Sequence, residues 1–145
     1  MIFQRFEPML PSHAEYFQGM PCKVCADTKG IVAHCATTHS VMGLVAFDSW
    51  TENLASVHIK ISNPMCLRNG GLIAESCDWY FNRLDRGIML GLVRGDLYKV
   101  LAFNAKIGFT EEHRIKDGYA VGVDQVMLTM TREQCRFLPT QQRAA

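Results

Sequence analysis

The chain has 145 residues, a formal net charge of +1, 48% apolar residues and 20% charged ones. That length suits one domain with a sizeable core, and the near-neutral charge supplies no basic field of the kind that nucleic acid or membrane surfaces attract. No apolar run reaches the roughly 18 residues of a membrane span, and the segment from Met1 to Phe6 lacks a signal-peptide core, so the chain reads as cytoplasmic, with its six cysteines reduced.

Ile2 to Phe6 alternates weakly and reads as an edge strand. Ser12-His13-Ala14-Glu15 has the form of a capping box, in which serine and glutamate satisfy exposed N–H groups reciprocally, and Gly19-Met20-Pro21 stops that helix. Cys22 to Ala26 and Ile31 to Ala36 flank the turn Asp27-Thr28-Lys29-Gly30 and read as a hairpin. Val41 to Trp50 is a longer apolar strand. Ser56 to Ser62 is another, with Val57, Ile59 and Ile61 on one face and His58 and Lys60 on the other. Residues 63–71 read as a loop. Leu72, Ile73, Cys77, Tyr80 and Leu84 recur at helical spacing and predict an amphipathic helix over 71–84. A strand over 88–93 follows. Leu97, Val100, Leu101 and Ala105 then form a second helical stripe ending at Gly108, a residue suited to the left-handed C-cap. Strands near 111–116 and 124–131 finish the fold. The expected class is α/β (α+β), a mixed, mostly antiparallel twisted sheet flanked by helices. It forms one domain over 1–138, with a tail over 139–145.

Cys22-x-x-Cys25, His34-Cys35 and His39 have spacings like those of a zinc site. Strand alternation sends His34 and Cys35 to opposite faces, and Cys22 and Cys25 likewise, so the ligands do not converge and no metal is expected. The consecutive Trp79, Tyr80 and Phe81 point in different directions and read as packing, as do the eight methionines. Phe137 and Leu138 read as docking a short terminal segment. Asp48 and Glu52, near a turn, have two readings, an alternative base or a solvated turn residue.

The run from residue 55 to 132 is an unusual order of parts: strand, glycine-bearing loop, helix, strand, the turn Arg94-Gly95-Asp96, helix, Ile107-Gly108-Phe109, and a closing strand pair. In order and spacing it resembles the C-terminal half of the GCN5-related N-acetyltransferase superfamily, whose members move an acetyl group from acetyl-coenzyme A to an amine. The resemblance implies acetyl-CoA as co-substrate. Arg68-Asn69-Gly70-Gly71-Leu72-Ile73 is similar to the superfamily's pyrophosphate loop, Gln/Arg-x-x-Gly-x-Gly/Ala, departing from it at Ile73. Glycines and a helix start suit a pyrophosphate, because backbone N–H groups can approach it. The resemblance also makes the Val57–Ile61 strand the one that splays to admit the acetyl-pantetheine arm, which puts Ile59 and Ile61 on the coenzyme. Asp96 then replaces the asparagine that caps the second helix. The position of the superfamily's usual acid, a tyrosine, holds Asn104, so either the coenzyme A thiolate leaves unassisted, or Tyr98, nearly two turns earlier, substitutes, or the chain is catalytically weak. His58 has two readings, a strand histidine bonded to a neighbour or the base that takes the ammonium proton.

The small size, the Val57-His58-Ile59 strand and the Arg132–Leu138 ending are also similar to divergent members carried by bacteriophages and prophages. The rival expectation is therefore a catalytically weak or inactive fold serving as a phage structural, assembly or host-binding factor. The expected partner is a small-molecule or protein amine, with no nucleic acid and no membrane. The exposed edge of the last strand pair adds an expected homodimer.

Overall fold

The computed structural model describes residues 2–17 and 24–138. Seven strands form one sheet: β1 (Gln4–Pro8), β2 (Lys29–Cys35), β3 (Val41–Asp48), β4 (Leu54–Ile61), β5 (Ile88–Arg94), β6 (Thr110–Ala120) and β7 (Val123–Thr131). Their order is β1-β2-β3-β4-β5-β7-β6. Every neighbouring pair is antiparallel except β4 and β5. A parallel pair requires a long crossover, and α1 (Gly71–Cys77) supplies it. The second helix, α2 (Tyr98–Ile107), follows β5 and ends at Gly108, whose φ of 130° is a conformation that suits glycine. No helix among the described residues is long and apolar enough to cross a membrane.

The apolar β3 is buried on both faces. Val45 and Phe47 pack into the main core with Leu72, Ile73, Cys77, Tyr80 and Phe81. Leu44 and Ala46 pack on the other face with Val32 and Phe17. After Cys77 the helix widens into a π-helical segment, Asp78–Arg83. The wider turn lets two consecutive aromatic residues bury together. Tyr80 stacks on Phe47 with centroids 4.7 Å apart, and Phe81 meets Tyr80 edge-on at 5.3 Å. The end of the chain closes this face. Cys135 is fully buried and Leu138 nearly so. Arg132 donates to Phe81 O and Asp85, and Arg136 N donates to Ile107 O.

Three expected elements differ. Of the predicted Cys22–Ala26 strand, the described residues 24–26 are not extended into the sheet: residues 24–28 make a turn, held by Cys25 N donating to Thr28 Oγ1 and by Trp50 Nε1 donating to Asp27 O. The reason is non-local, since β1 and β3 occupy both edges of β2. The segment after Leu10 is a 3-10 helix, Pro11–Phe17, and His13 Nδ1 accepts from Leu10 N at its start. Residues expected as a loop form another 3-10 helix, Pro64–Gly70, which Asn63 opens by accepting from Met65 N. The stop at Gly19-Met20-Pro21, the position of Cys22 and the tail from Pro139 lie outside the described residues. His34 and Cys35 do fall on opposite faces, His34 towards His13 and Cys35 towards the main core.

His13 is only 8% exposed, and its ring lies 5.6 Å from that of His34, beside Glu7. Burial first, and then the charge on His34, hold its pKa below the usual imidazole value, against weaker upward pulls from Glu7 and Glu15. The unfolded chain therefore takes up this proton first as pH falls. The contribution to stability is intact above the unfolded value of about 6.5 and is lost below it. Urea midpoints are expected to fall between pH 7.5 and 5.5, and a His13→Gln variant to show a flatter profile over that window.

Candidate active site

β4 and β5 are bonded only at their beginnings. Their ladder runs Leu54↔Ile88, Ala55↔Met89, Ser56↔Leu90 and stops. Beyond Ser56 the two strands diverge, while β5 stays paired with β7 as far as Arg94↔Gln125. The divergence opens a cleft of about 650 Å³. Val57, His58, Ile59 and Ile61 form its β4 wall, and Gly91 to Arg94 its β5 wall. Lys99, Val100, Phe103 and Asn104 of α2 close the helical side, and Tyr119 and Gln125 reach it from the last strand pair.

Strand alternation divides the cleft in two. Val57, Ile59, Ile61 and Val93 face the main core and the helices. His58, Lys60, Leu92 and Arg94 face the opposite side of the sheet. On that side His58 Nε2 lies 3.0 Å from Asp48 Oδ1. Asp48 pairs with Ser56 and Ala46 with His58, so the two side chains are diagonal neighbours, within reach of each other. They are 24% and 14% exposed, shielded enough to make the contact matter yet open to the cleft. An Asp–His pair of this kind fixes which ring nitrogen carries the proton and leaves the other, Nδ1, free to accept one.

Arg94 is held as firmly. Its Nε and Nη2 donate to the two oxygens of Asp96 at 3.0 and 2.8 Å, and its guanidinium lies 4.9 Å from the centroid of the Tyr119 ring. The hydrogen bond from Arg94 holds the Asp96 carboxyl below the usual carboxylate range.

Of the residues singled out in the sequence, the fold gathers His58, Ile59 and Ile61 on the cleft. Asp96 does not cap α2, because the cap position is Leu97, without a side-chain bond, and the Asp96 carboxylate is engaged by Arg94. Tyr98 opens α2 but is 77% exposed and does not line the cleft. Asn104 does line it, with Nδ2 donating to Val100 O. Arg68, Asn69, Gly70 and Gly71, at the start of α1, are not among the residues that line the cleft. Asn69, Gly70 and Gly71 take successive positive φ values of 55°, 83° and 40°. Arg68 sits 6.0 Å from the Phe3 ring, and a Cβ on Gly70 would lie 3.1 Å from the Phe137 ring. Sequence reasoning gave no role to Arg94, Tyr119 or Gln125. Tyr119 reaches the cleft because the β6–β7 register shifts between Ile115 and Ala120, which no local pattern announces.

No protein-family model matches the chain, and no curated protein matches its sequence. Solved structures do match in fold. A dodecameric structure of spermidine N-acetyltransferase from Vibrio cholerae superposes with a TM-score of 0.73 at 12% identity, over 89% of this chain and 94% of that one. The spermidine/spermine N-acetyltransferase of the same organism, in complex with manganese ions, gives 0.69 at 14% identity, over 88% and 92%.

Proposed function

Because this chain has the fold of the GCN5-related N-acetyltransferases, we propose that it transfers acetyl from acetyl-coenzyme A to an amine by direct attack. The observation that carries the reading is the parted β4–β5 ladder with a His58–Asp48 pair on its rim. β4 beyond Ser56 has backbone groups with no strand partner on the β5 side. The amides of a pantetheine arm are suited to pair with them, along the Val57, Ile59 and Ile61 side. Lys99 on the helical wall is the proposed counter-charge for coenzyme phosphates. The Arg68–Gly71 loop, whose arginine makes no ion pair among the described residues, is the proposed pyrophosphate contact.

The amine is a nucleophile only when deprotonated. In this mechanism His58 Nδ1 accepts its proton while Asp48 holds Nε2–H and stabilises the imidazolium. The nitrogen forms a bond to the acetyl carbonyl carbon, the carbon–sulfur bond breaks, and the electron pair leaves on sulfur. A thiolate is a tolerable leaving group, its conjugate acid having a pKa near 8.5 on the cysteine scale. The reading therefore assigns no acid to Asn104 or to the outward-facing Tyr98.

Titration with acetyl-CoA tests the reading through mass action. At a hundredfold excess over Kd, binding adds about 2.7 kcal/mol and raises the melting temperature. No shift at millimolar acetyl-CoA sinks the proposal. It would favour the second reading, a non-catalytic use of the fold as a phage structural, assembly or host-binding factor, to which Asn104 and the Phe137 ring against Gly70 already lend weight.

A further inference from the structure

We infer that the acceptor amine carries its own carboxylate, and that Arg94 binds that group on the His58 side of the cleft; the inference rests on the acetyl-transfer reading. Among the described residues no aspartate or glutamate lines the cleft, and its charged side chains are Arg94 and Lys99. The two cations have different neighbours. Lys99 belongs to α2, on the helical side, where coenzyme phosphates would need a counter-charge. Arg94 alternates with the core-facing Val93 and so shares the face of His58. It sits at the end of β5, on the face from which His58 would meet an acceptor.

The guanidinium is built as a receptor. Asp96 takes Nε and Nη2, and the Tyr119 ring lies beside its plane, so its orientation is fixed before a ligand arrives. Nη1 makes no bond to a carboxylate among the described residues, and the side chain is 39% exposed. Lys60, on the same face, makes no ion pair among the described residues either. The carboxylates nearby are engaged: Asp48 by His58, Asp96 by Arg94 itself, and Asp124 by Arg114. A polyamine entering here would bring further ammonium groups to a wall whose carboxylates, Asp48 and Asp96, are already paired. A carboxylate beside the reacting amine instead meets a preset charge-assisted donor. An α-amino carboxylate is the smallest molecule with both groups.

The test uses matched pairs that differ only in the carboxylate: phenylalanine with phenethylamine, leucine with isopentylamine, lysine with cadaverine, and spermidine as the polycation. The expected result is kcat/KM higher for the carboxylate member of each pair by roughly ten- to a hundredfold, the range of one charged hydrogen bond. Arg94→Gln should collapse that ratio towards one. Arg94→Lys, which keeps the charge and loses the fork, should retain part of it. Stabilisation by acetyl-CoA confirms that each variant is folded. A preference for spermidine or for the decarboxylated members overturns the inference, and so does an Arg94→Gln variant with an unchanged ratio. If acetyl-CoA binds but the preference is missing, only this inference falls. If acetyl-CoA does not stabilise the chain at all, the acetyl-transfer reading falls and takes it along.

Discussion

Replacing His58 by alanine is expected to lower kcat by roughly 10²–10⁴-fold, the range of a lost general base, while acetyl-CoA stabilises the variant as it does the parent. The separation follows from geometry. His58 faces the side of the sheet opposite the core-facing Val57 and Ile59, so its loss removes no contact from the proposed coenzyme path. Asp48→Asn keeps the shape of the pair and removes its charge, so it should lower kcat, but less than His58→Ala does. A variant without His58 as active as the parent would remove this residue from the mechanism.

Gly71→Ala is expected to cost more stability than any surface change in the chain. Gly71 has φ 40° and ψ −125°, a conformation that residues with a Cβ rarely adopt, and a Cβ there would lie 2.0 Å from the Cys66 carbonyl oxygen. Backbone strain of this kind costs roughly 1–3 kcal/mol, and the overlap adds to it because the carbonyl is part of the 3-10 turn that Gly71 N–H closes. Denaturant unfolding should show the loss with or without acetyl-CoA. Gly71 is thus required by the backbone before any ligand is considered, and substitution there cannot isolate a coenzyme contact. Arg68→Ala is the cleaner probe of the loop, since its side chain contributes only a distant contact with Phe3. A Gly71→Ala chain as stable as the parent contradicts the backbone geometry described here.

What the sequence discloses is what short-range physics controls. Alternation in β4 places Val57, Ile59 and Ile61 against the core and His58 away from it, as read from the residues alone. The stripe of α2 and its stop at Gly108 follow from helical period and glycine's conformational freedom. Most of the failures are long-range. Cys22 to Ala26 has the composition of a hairpin strand, but whether β2 has a vacant edge depends on β1. Asp48 reads as a turn residue until β4 lies beside β3 and brings His58 to it. Arg94 and Tyr119, 25 positions apart, meet only because β7 inserts beside β5 and β6 bulges. The resemblance puts Asp96 at a helix cap, and Arg94, two residues away, engages it instead.

The insertion of β7 between β5 and β6 also sets the order in which this protein can be made. β5 lies inside the sheet, yet its antiparallel neighbour is the last strand in the chain. On the ribosome, residues up to Gly108 can emerge with one edge of β5 bare, and Met89 lacks Met130, its partner across the ladder, until the final stretch arrives. The arginine that ties α1's π-turn down, Arg132, comes later still. Between the completion of β5 at Arg94 and that of β7 at Thr131 the nascent chain therefore carries an apolar, half-paired strand, the kind of edge that recruits chaperones or other nascent copies. Closure of the sheet is a late step involving contacts far apart in sequence, which places this fold among the slower folders for its length. A chain cut short before residue 123 should reach the cell as aggregate and not as a smaller domain.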